Sequence, residues 1–417
     1  MAKSDIIVGL DIGTTKIAVV VGREDEDGKV EILGHSNVES VGVKRGVIAN
    51  IDEAVESIKK AVKKAEDEAN VDISEVHVGI AGQFIKSIQH RGSIIRNNND
   101  DEISAEDIRK MTESMYNIAV DPGSEIIVVA PQEYTIDGES GITNPVGMAG
   151  KYVESNFNII TAQTTSVKNI VKCIQRAGLE LKSIALEPIA SASAVLTEEE
   201  KEAGVALVDI GGGTTDIAIF HNNLLRHTAV IPFGGDIITE DIREGCTIIK
   251  KYAEDLKVKF GSAIVVENRN DIVSIPGLRG REPKEIKVKT LAGIIHARME
   301  EILGQVYLQI KNSGYYKKLT MGVVITGGGS LLKDIIQLSE FVIGMETKIG
   351  YPSEHLTASS NKELHSPIYA TSVGLVKMAL ENLSEDEPQD NKGDNKKQKK
   401  EKSYGILRGF LDKLLEN

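Results

Sequence analysis

The 417-residue chain has no tryptophan, only two cysteines and an aromatic content of 4%. So few aromatic rings cannot build a base-stacking platform, and a net charge of −13 opposes tracking along a phosphate backbone, so no nucleic-acid partner is expected. Cys173 and Cys246 lie far apart with no His or Cys at metal-ligand spacing, which excludes a disulfide framework or a zinc cluster and fits a reduced, cytoplasmic chain with two structural thiols. No stretch approaches the roughly 20 apolar residues that cross a bilayer. The N-terminus carries one lysine before an apolar run too short for a signal peptide. A soluble chain, or one attached to a surface from outside, is expected. With 41% apolar and 27% charged residues the composition is globular, and the length suits two or more domains.

What is present is organised around Ile6 to Gly22. Apolar β-branched residues lead into Asp11-Ile12-Gly13-Thr14-Thr15-Lys16, and a second β-branched run follows, which reads as strand, tight turn, strand. Gly13 lets backbone approach a ligand, Thr14, Thr15 and Lys16 offer donors to phosphate oxygens, and Asp11 suits a hydrated Mg2+. No helix follows the glycine, so this is neither a dinucleotide fingerprint nor a Lys-Ser/Thr phosphate loop. Alone, the stretch reads equally as an ordinary hairpin. It occurs twice, however: Gly204 to Phe220 repeats it around Asp209-Ile210-Gly211-Gly212-Gly213-Thr214. A duplicated phosphate-type hairpin predicts two similar halves facing one another across a nucleotide.

Along the chain, helical spacing runs from Asp52, the expected N-cap, to Ala69, and Val76 to Gly82 reads as a buried strand and turn in which His77 is a satisfied core or edge histidine. Residues 84–160 change character: a polar run, a capped helix from Ser104, and two strands around a Gly-rich loop form an α+β insertion. Val167 to Ala177 is helical and stops at Gly178; a strand and short helix with Pro188 in its first turn follow. In the second half, Pro232-Phe233-Gly234-Gly235-Asp236 is a turn before a helix whose backbone donors could reach a phosphate. The helix predicted over Thr247 to Lys257 places Glu254 and Lys257 at i, i+3, most simply a surface ion pair. Gly322 to Ser330 reads as strand and glycine turn before a helix over Leu331 to Glu340, and the small residues of Pro367 to Val376 suit close helix packing.

The last residues differ. Residues 384–395 are acidic and polar and are expected to be disordered, and Lys396 to Lys402 is basic. Residues 403–417 then place Ile406, Leu407, Phe410, Leu411, Leu414 and Leu415 on one helical face. A terminal helix docked on the core is one reading. The long polar linker favours an interfacial anchor for anionic lipid.

These residues resemble the actin/Hsp70/sugar-kinase superfamily and, within it, the bacterial cell-division FtsA family. The two hairpins look like the superfamily's two phosphate motifs, Ile325 to Ser330 like its adenosine motif, and Leu186 to Ala190 and Pro367 to Gly374 like its connecting helices. The insertion, with Tyr134 to Gly138 and Asn144 to Gly150, and Pro232 to Ile242 are similar to the FtsA family in particular. The implied fold is α/β and actin-like, a duplicated nucleotide-binding fold of two ribonuclease-H-like halves around a cleft. The implied division is a first subdomain over 1–83, completed by 161–200 and 363–383, with the insertion over 84–160. The second core subdomain covers 201–229 and 304–362, its partner covers 230–303, and a linker over 384–402 precedes the amphipathic helix.

The resemblance also implies cofactors and roles. ATP and Mg2+ would meet Asp11, Gly13, Thr14, Thr15 and Lys16 from one half, and Asp209, Gly211, Gly212, Gly213 and Thr214 from the other. Asp11 and Asp209 would hold the metal through water. Gly234 and Gly235 join the cofactor set, Glu254 and Lys257 would approach ribose or adenine, and Gly327, Gly328 and Gly329 would underlie the adenosine. Glu187 stands where relatives position a hydrolytic water, as a candidate in a weak ATPase. Implied partners are the acidic C-terminal tail of FtsZ, with Arg281 and Arg298 as candidate contacts, further copies of the chain in a filament, later divisome proteins and anionic lipid. Ile286-Lys287-Val288 replaces the family's usual Ile-Ser-Arg before that helix. The implied location is peripheral, on the cytoplasmic face of the cell membrane at the septum. The alternatives are a shape-determining actin homologue, which would lack this insertion, and a small-molecule kinase, for which no acceptor-side base stands out. An Hsp70-like chaperone would need a substrate domain that the remaining residues are too few and too polar to build.

Overall fold

The computed structural model describes residues 6–26, 28–96, 102–266, 271–277, 282–357 and 361–386. The chain begins with β1 (Ile7–Ile12), β2 (Lys16–Glu24) and β3 (Val30–Glu39), an antiparallel meander. A small hairpin, β4 (Val43–Lys44) and β5 (Val47–Ile48), leads to α1 (Ile51–Ala69) and β6 (Glu75–Ile80). Every residue of β1 is buried, as suits a central strand whose residues are apolar apart from Asp11. The N-cap of α1 is Asn50 rather than Asp52: its side chain accepts from the N–H groups of Asp52 and Glu53 at 3.1 and 3.3 Å, which leaves Asp52 in the first turn, where its charge complements the helix dipole.

An insertion follows: β7 (Lys86–Ile95), α2 (Ala105–Met115), β8 (Ser124–Ile136), β9 (Glu139–Ile142) and β10 (Tyr152–Gln163). Its strands form a separate sheet in the order β7-β10-β8-β9. Ile108, Met111 and Met115 of α2 pack with Phe157, Ile159 and Tyr134 in a core of their own. A capping box between Ser104 and Asp107 starts that helix. The chain then returns through α3 (Thr164–Ala177), stopped by Gly178 at φ 87°, to β11 (Glu180–Leu186). The first sheet is completed in the order β11-β6-β1-β2-β3, with β6 and β11 parallel to β1. His77 meets Ser183 Oγ at 2.7 Å across that parallel pair.

Helices α4 (Glu187–Val195) and α5 (Glu198–Ala203) lead into a second copy of the plan. β12 (Val205–Ile210), β13 (Thr215–His221) and β14 (Leu224–Ile231) are again an antiparallel meander. Next come α6 (Gly235–Gly245), α7 (Lys250–Phe260), the hairpin β15 (Ile272–Ile275) and β16 (Lys284–Lys287), and the long α8 (Val288–Asn312). β17 (Val323–Thr326), α9 (Ile335–Ile343), β18 (Thr347–Ile349) and α10 (Ala370–Asp386) complete the described chain. The second sheet runs β14-β13-β12-β17-β18, the same order and the same mix of antiparallel and parallel pairs as the first. Two expected helices start later than their spacing predicts. Thr247 has φ 49°, so α7 begins at Lys250, and Asp334 has φ 64°, so a 3-10 turn over Gly328–Leu331 precedes α9.

Helices α4 and α10 pack against each other between the two sheets. A Cβ on Gly374 would collide with the carbonyl oxygen of Ala190, so the two backbones touch there. The insertion reaches back to the second half at β14: Arg226, 5% exposed in its side chain, donates to Glu133 at 2.7 Å and to Gln132 at 3.2 Å.

Candidate functional site

The two turns come from equivalent places. Asp11 is the fifth residue of six in β1 and Asp209 the fifth of six in β12. Ile12 pairs with Ile17 and Ile210 with Thr215, so both turns hold four residues, Gly13 to Lys16 and Gly211 to Thr214. They face each other. A Cβ on Gly212 would come within 2.5 Å of Thr15 Cγ2, and one on Gly213 within 2.8 Å of Thr14 Cβ and 2.9 Å of Arg45 Cα. Only glycine tolerates that approach from the opposite half. Gly46 N–H donates to Thr14 Oγ1 at 3.0 Å and fixes the first turn from behind.

Between the turns lies a cleft lined, among the described residues, by four carboxylates, Asp11, Glu187, Asp209 and Asp216, and by one cation, Lys16. Lys16 Nζ meets Asp11 Oδ2 at 2.8 Å. Asp209 Oδ2 accepts from Ser191 Oγ at 2.6 Å and Thr371 Oγ1 at 3.4 Å. Asp216 Oδ2 accepts from Thr214 Oγ1 at 2.8 Å, while its buried Oδ1 has no hydrogen-bond partner among the described residues. Burial, and then Asp209, pushes Asp216 up to about 8. Burial and then Asp11, Asp216 and Asp209 raise Glu187 well above the carboxylate range. Burial also raises Asp209, against the opposing bond from Ser191. Four acids against one lysine, one with an orphaned oxygen, form a donor set that fits a divalent cation, and the two facing backbone turns fit phosphate oxygens.

Of the residues singled out in the sequence, Asp11, Gly13, Thr14, Thr15, Lys16, Glu187, Asp209, Gly211, Gly212, Gly213, Thr214, Gly327 and Gly328 line this one cleft. Others do not. The N–H groups of Gly235 and Asp236 donate to the carbonyls of Gly211 and Gly212 at 2.9 and 2.8 Å, so the α6 N-terminus with Gly234 and Gly235 supports the second turn instead of offering those donors to a ligand. Gly329 packs on Ile210 beneath the cleft. Glu254 and Lys257 pair at 2.7 Å on α7, and Lys257 also donates to Gly235 O and Thr239 Oγ1, away from the lining. Arg298 is not a free cation: it donates to both carboxylate oxygens of Asp241 at 2.6 and 3.1 Å and also to Glu301. Arg281 and the tail face from Ile406 to Leu415 lie outside the described residues. The cleft adds Gly46, Asp216 and Thr371, which sequence reasoning passed over. Asp216 was detectable: with four-residue turns it stands opposite Asp209, where the first hairpin has Ala18 opposite Asp11.

Residues 206–374 match the family model described as cell division protein FtsA, and residues 82–161 match the SHS2 domain inserted in FtsA. The cell division protein FtsA of Pseudomonas aeruginosa is 37% identical over 382 residues, 91% of this chain and 90% of that one. This chain belongs to the FtsA family. The Neisseria meningitidis FtsA is 36% identical over 410 residues, covering 98% and 97% of the two chains, and that of Bacillus subtilis 35% over 383 residues, covering 92% and 85%. The β7-β10-β8-β9 sheet with α2 is thus the SHS2 insertion of an FtsA-family protein. Solved structures place the fold among actin-like proteins. A type IV pilus PilM–PilN complex aligns with TM-score 0.62 at 15% identity over 90% of this chain and 98% of that one. MreB5 of Spiroplasma citri bound to ADP aligns with TM-score 0.54 at 17% identity, over 91% and 98%.

Proposed function

We propose that this FtsA-family chain binds ATP and Mg2+ in the cleft, polymerises, and attaches peripherally to the cytoplasmic face of the cell membrane at the septum. There it tethers the FtsZ ring and helps recruit later division proteins. The observation that carries the nucleotide reading is the pair of four-residue turns meeting over an acid-rich cleft, each turn projecting from a fully buried central strand. When bound, Mg2+ would supply the positive charge that the carboxylates lack, and ATP the phosphates that the turns would hold. Asp11 and Asp209 hold the hydrated metal, Lys16 meets phosphate, and Glu187 is the candidate to position a water in slow hydrolysis. A ligand gripped from both halves favours the closed arrangement, because only that state makes both sets of contacts.

The membrane part rests on the amphipathic pattern of 403–417. A single such helix binds weakly, and a filament would array many of them, so that multivalency turns weak sites into stable attachment. FtsZ-tail docking is assigned to the 230–303 region. The test is co-sedimentation with anionic liposomes, with and without ATP, for the whole chain and for one ending at Asn382. Nucleotide-enhanced pelleting that vanishes on truncation is expected. Equal pelleting of both forms would overturn the anchor, and ATP consumption against a small acceptor without membrane binding would favour the kinase reading.

A further inference from the structure

Asp11 and Asp209 are equivalent in the two halves, yet they are held in different ways. Asp11 is tied to Lys16 of its own turn. Asp209 is tied to the helices that join the halves: Ser191 on α4, fully buried, and Thr371 on α10, 6% exposed, both donate to its Oδ2, and their hydroxyls lie 3.0 Å from each other. Oδ1 lies against Gly327, whose φ of 79° and missing Cβ leave room for it. The carboxylate is therefore held through Oδ2, with Oδ1 facing Gly327. The two helices come into backbone contact there, with Gly374 on Ala190, and a hydroxyl buried at such a contact is unfavourable unless it is bonded.

We infer that Ser191 and Thr371 are positioning residues that orient Asp209 for the metal and make metal-dependent nucleotide binding depend on the packing of α4 against α10. The inference rests on the nucleotide reading above. Relative sliding of the two helices, as an opening of the halves would require, separates the hydroxyls from each other and from Asp209. Lys377 Nζ, which donates to the Ser193 carbonyl at 2.8 Å, is a second tie across the same contact. In this arrangement the second half reports metal occupancy to the hinge directly, and the first half does so only through the ligand.

The test is calorimetric titration of the whole chain with ADP, in Mg2+ and in EDTA, for Ser191→Ala, Thr371→Val, the double variant and Thr371→Ser. Ser191→Ala should weaken binding in Mg2+ about tenfold while metal-free binding moves by no more than about twofold, because the lost donor acts on the carboxylate. The double variant should lose more, and Thr371→Ser should keep the wild-type values. Melting of the nucleotide-free variants separates loss of fold from loss of orientation, and Ser191→Ala removes a single oxygen. The inference is overturned if Ser191→Ala keeps the full metal-dependent gain, or if both affinities fall in equal proportion, which marks the hydroxyls as packing alone. A wild-type chain that binds no ADP under either condition overturns the nucleotide reading itself.

Discussion

The first turn of the cleft is Gly13-Thr14-Thr15-Lys16 and the second is Gly211-Gly212-Gly213-Thr214, both four residues closing the same strand pair. The first presents side chains and the second presents bare backbone, so Thr14 and Thr15 occupy the space that Gly213 and Gly212 leave. Charge divides likewise: the first half pairs its acid with Lys16, and the second places Asp216 directly across from Asp209. The two frames share one strand order, and the turns built on them differ so that one complements the other. Two identical glycine turns would leave a gap between the halves, and two threonine turns would collide.

The largest effect should come from filling that space. Gly213→Val forces side-chain atoms into Thr14 and the Arg45 backbone, at a cost on the order of 1–3 kcal/mol. In ADP binding by the whole chain that cost reads as about 5- to 150-fold weaker affinity. Thr14→Gly in the same chain should restore part of the loss, because it removes the Thr14 side chain while the Arg45 backbone stays in place. Unaltered binding by Gly213→Val would mean that the halves do not close on one another when ligand is present.

A second test addresses the charge asymmetry. Asp216, held near 8, keeps a proton in the folded chain that it loses near 4 when unfolded. The folded state therefore binds more protons between those values, and stability is full below about pH 4 and falls as pH rises toward 8. Asp216→Asn, neutral at every pH, should be more stable than the parent at pH 8, by on the order of 1–3 kcal/mol, and should flatten the slope. Thermal melts from pH 5 to 8 without metal decide it, and parallel slopes for the two chains would remove Asp216 as the source. Glu187, Asp209 and Glu125, each raised chiefly by burial, contribute to the slope that remains.

How much of this was legible follows from how local each cause is. A buried β-branched run interrupted by Asp11 or Asp209 shows in the sequence, because an acid has no packing reason to sit at the end of a central strand. Gly178 and the α2 capping box show for the same local reason. Asp216 needed the turn length, since only the register sets it opposite Asp209. Ser191 and Thr371 had no signal at all: they meet across 180 residues of chain, and a serine on a small-residue helix face reads as packing. Gly235 and Arg298 show the opposite limit: their internal partners had no sequence signal. An N–H or a guanidinium looks available in sequence, and only the fold shows a carbonyl of Gly211 or the carboxylate of Asp241 already in place.

The smallest expected effect tests that last distinction. Lys257 has a side chain 15% exposed, and its ammonium donates to Gly235 O at 2.9 Å, Thr239 Oγ1 at 2.7 Å and Glu254 Oε2 at 2.7 Å. Its connection to the cleft runs through Gly235, whose N–H holds the Gly211 carbonyl of the second turn. Lys257→Met should therefore cost about 1 kcal/mol of stability and change ADP affinity by no more than about threefold. Glu254→Gln, which weakens a half-exposed pair, should do less still. A loss beyond about tenfold in ADP affinity, without a matching loss of stability, would mean that Lys257 leaves these partners for the nucleotide. The second half would then grip its ligand with a cation from α7 in the role that Lys16 fills in the first, and the two halves would be more alike in charge than their turns suggest.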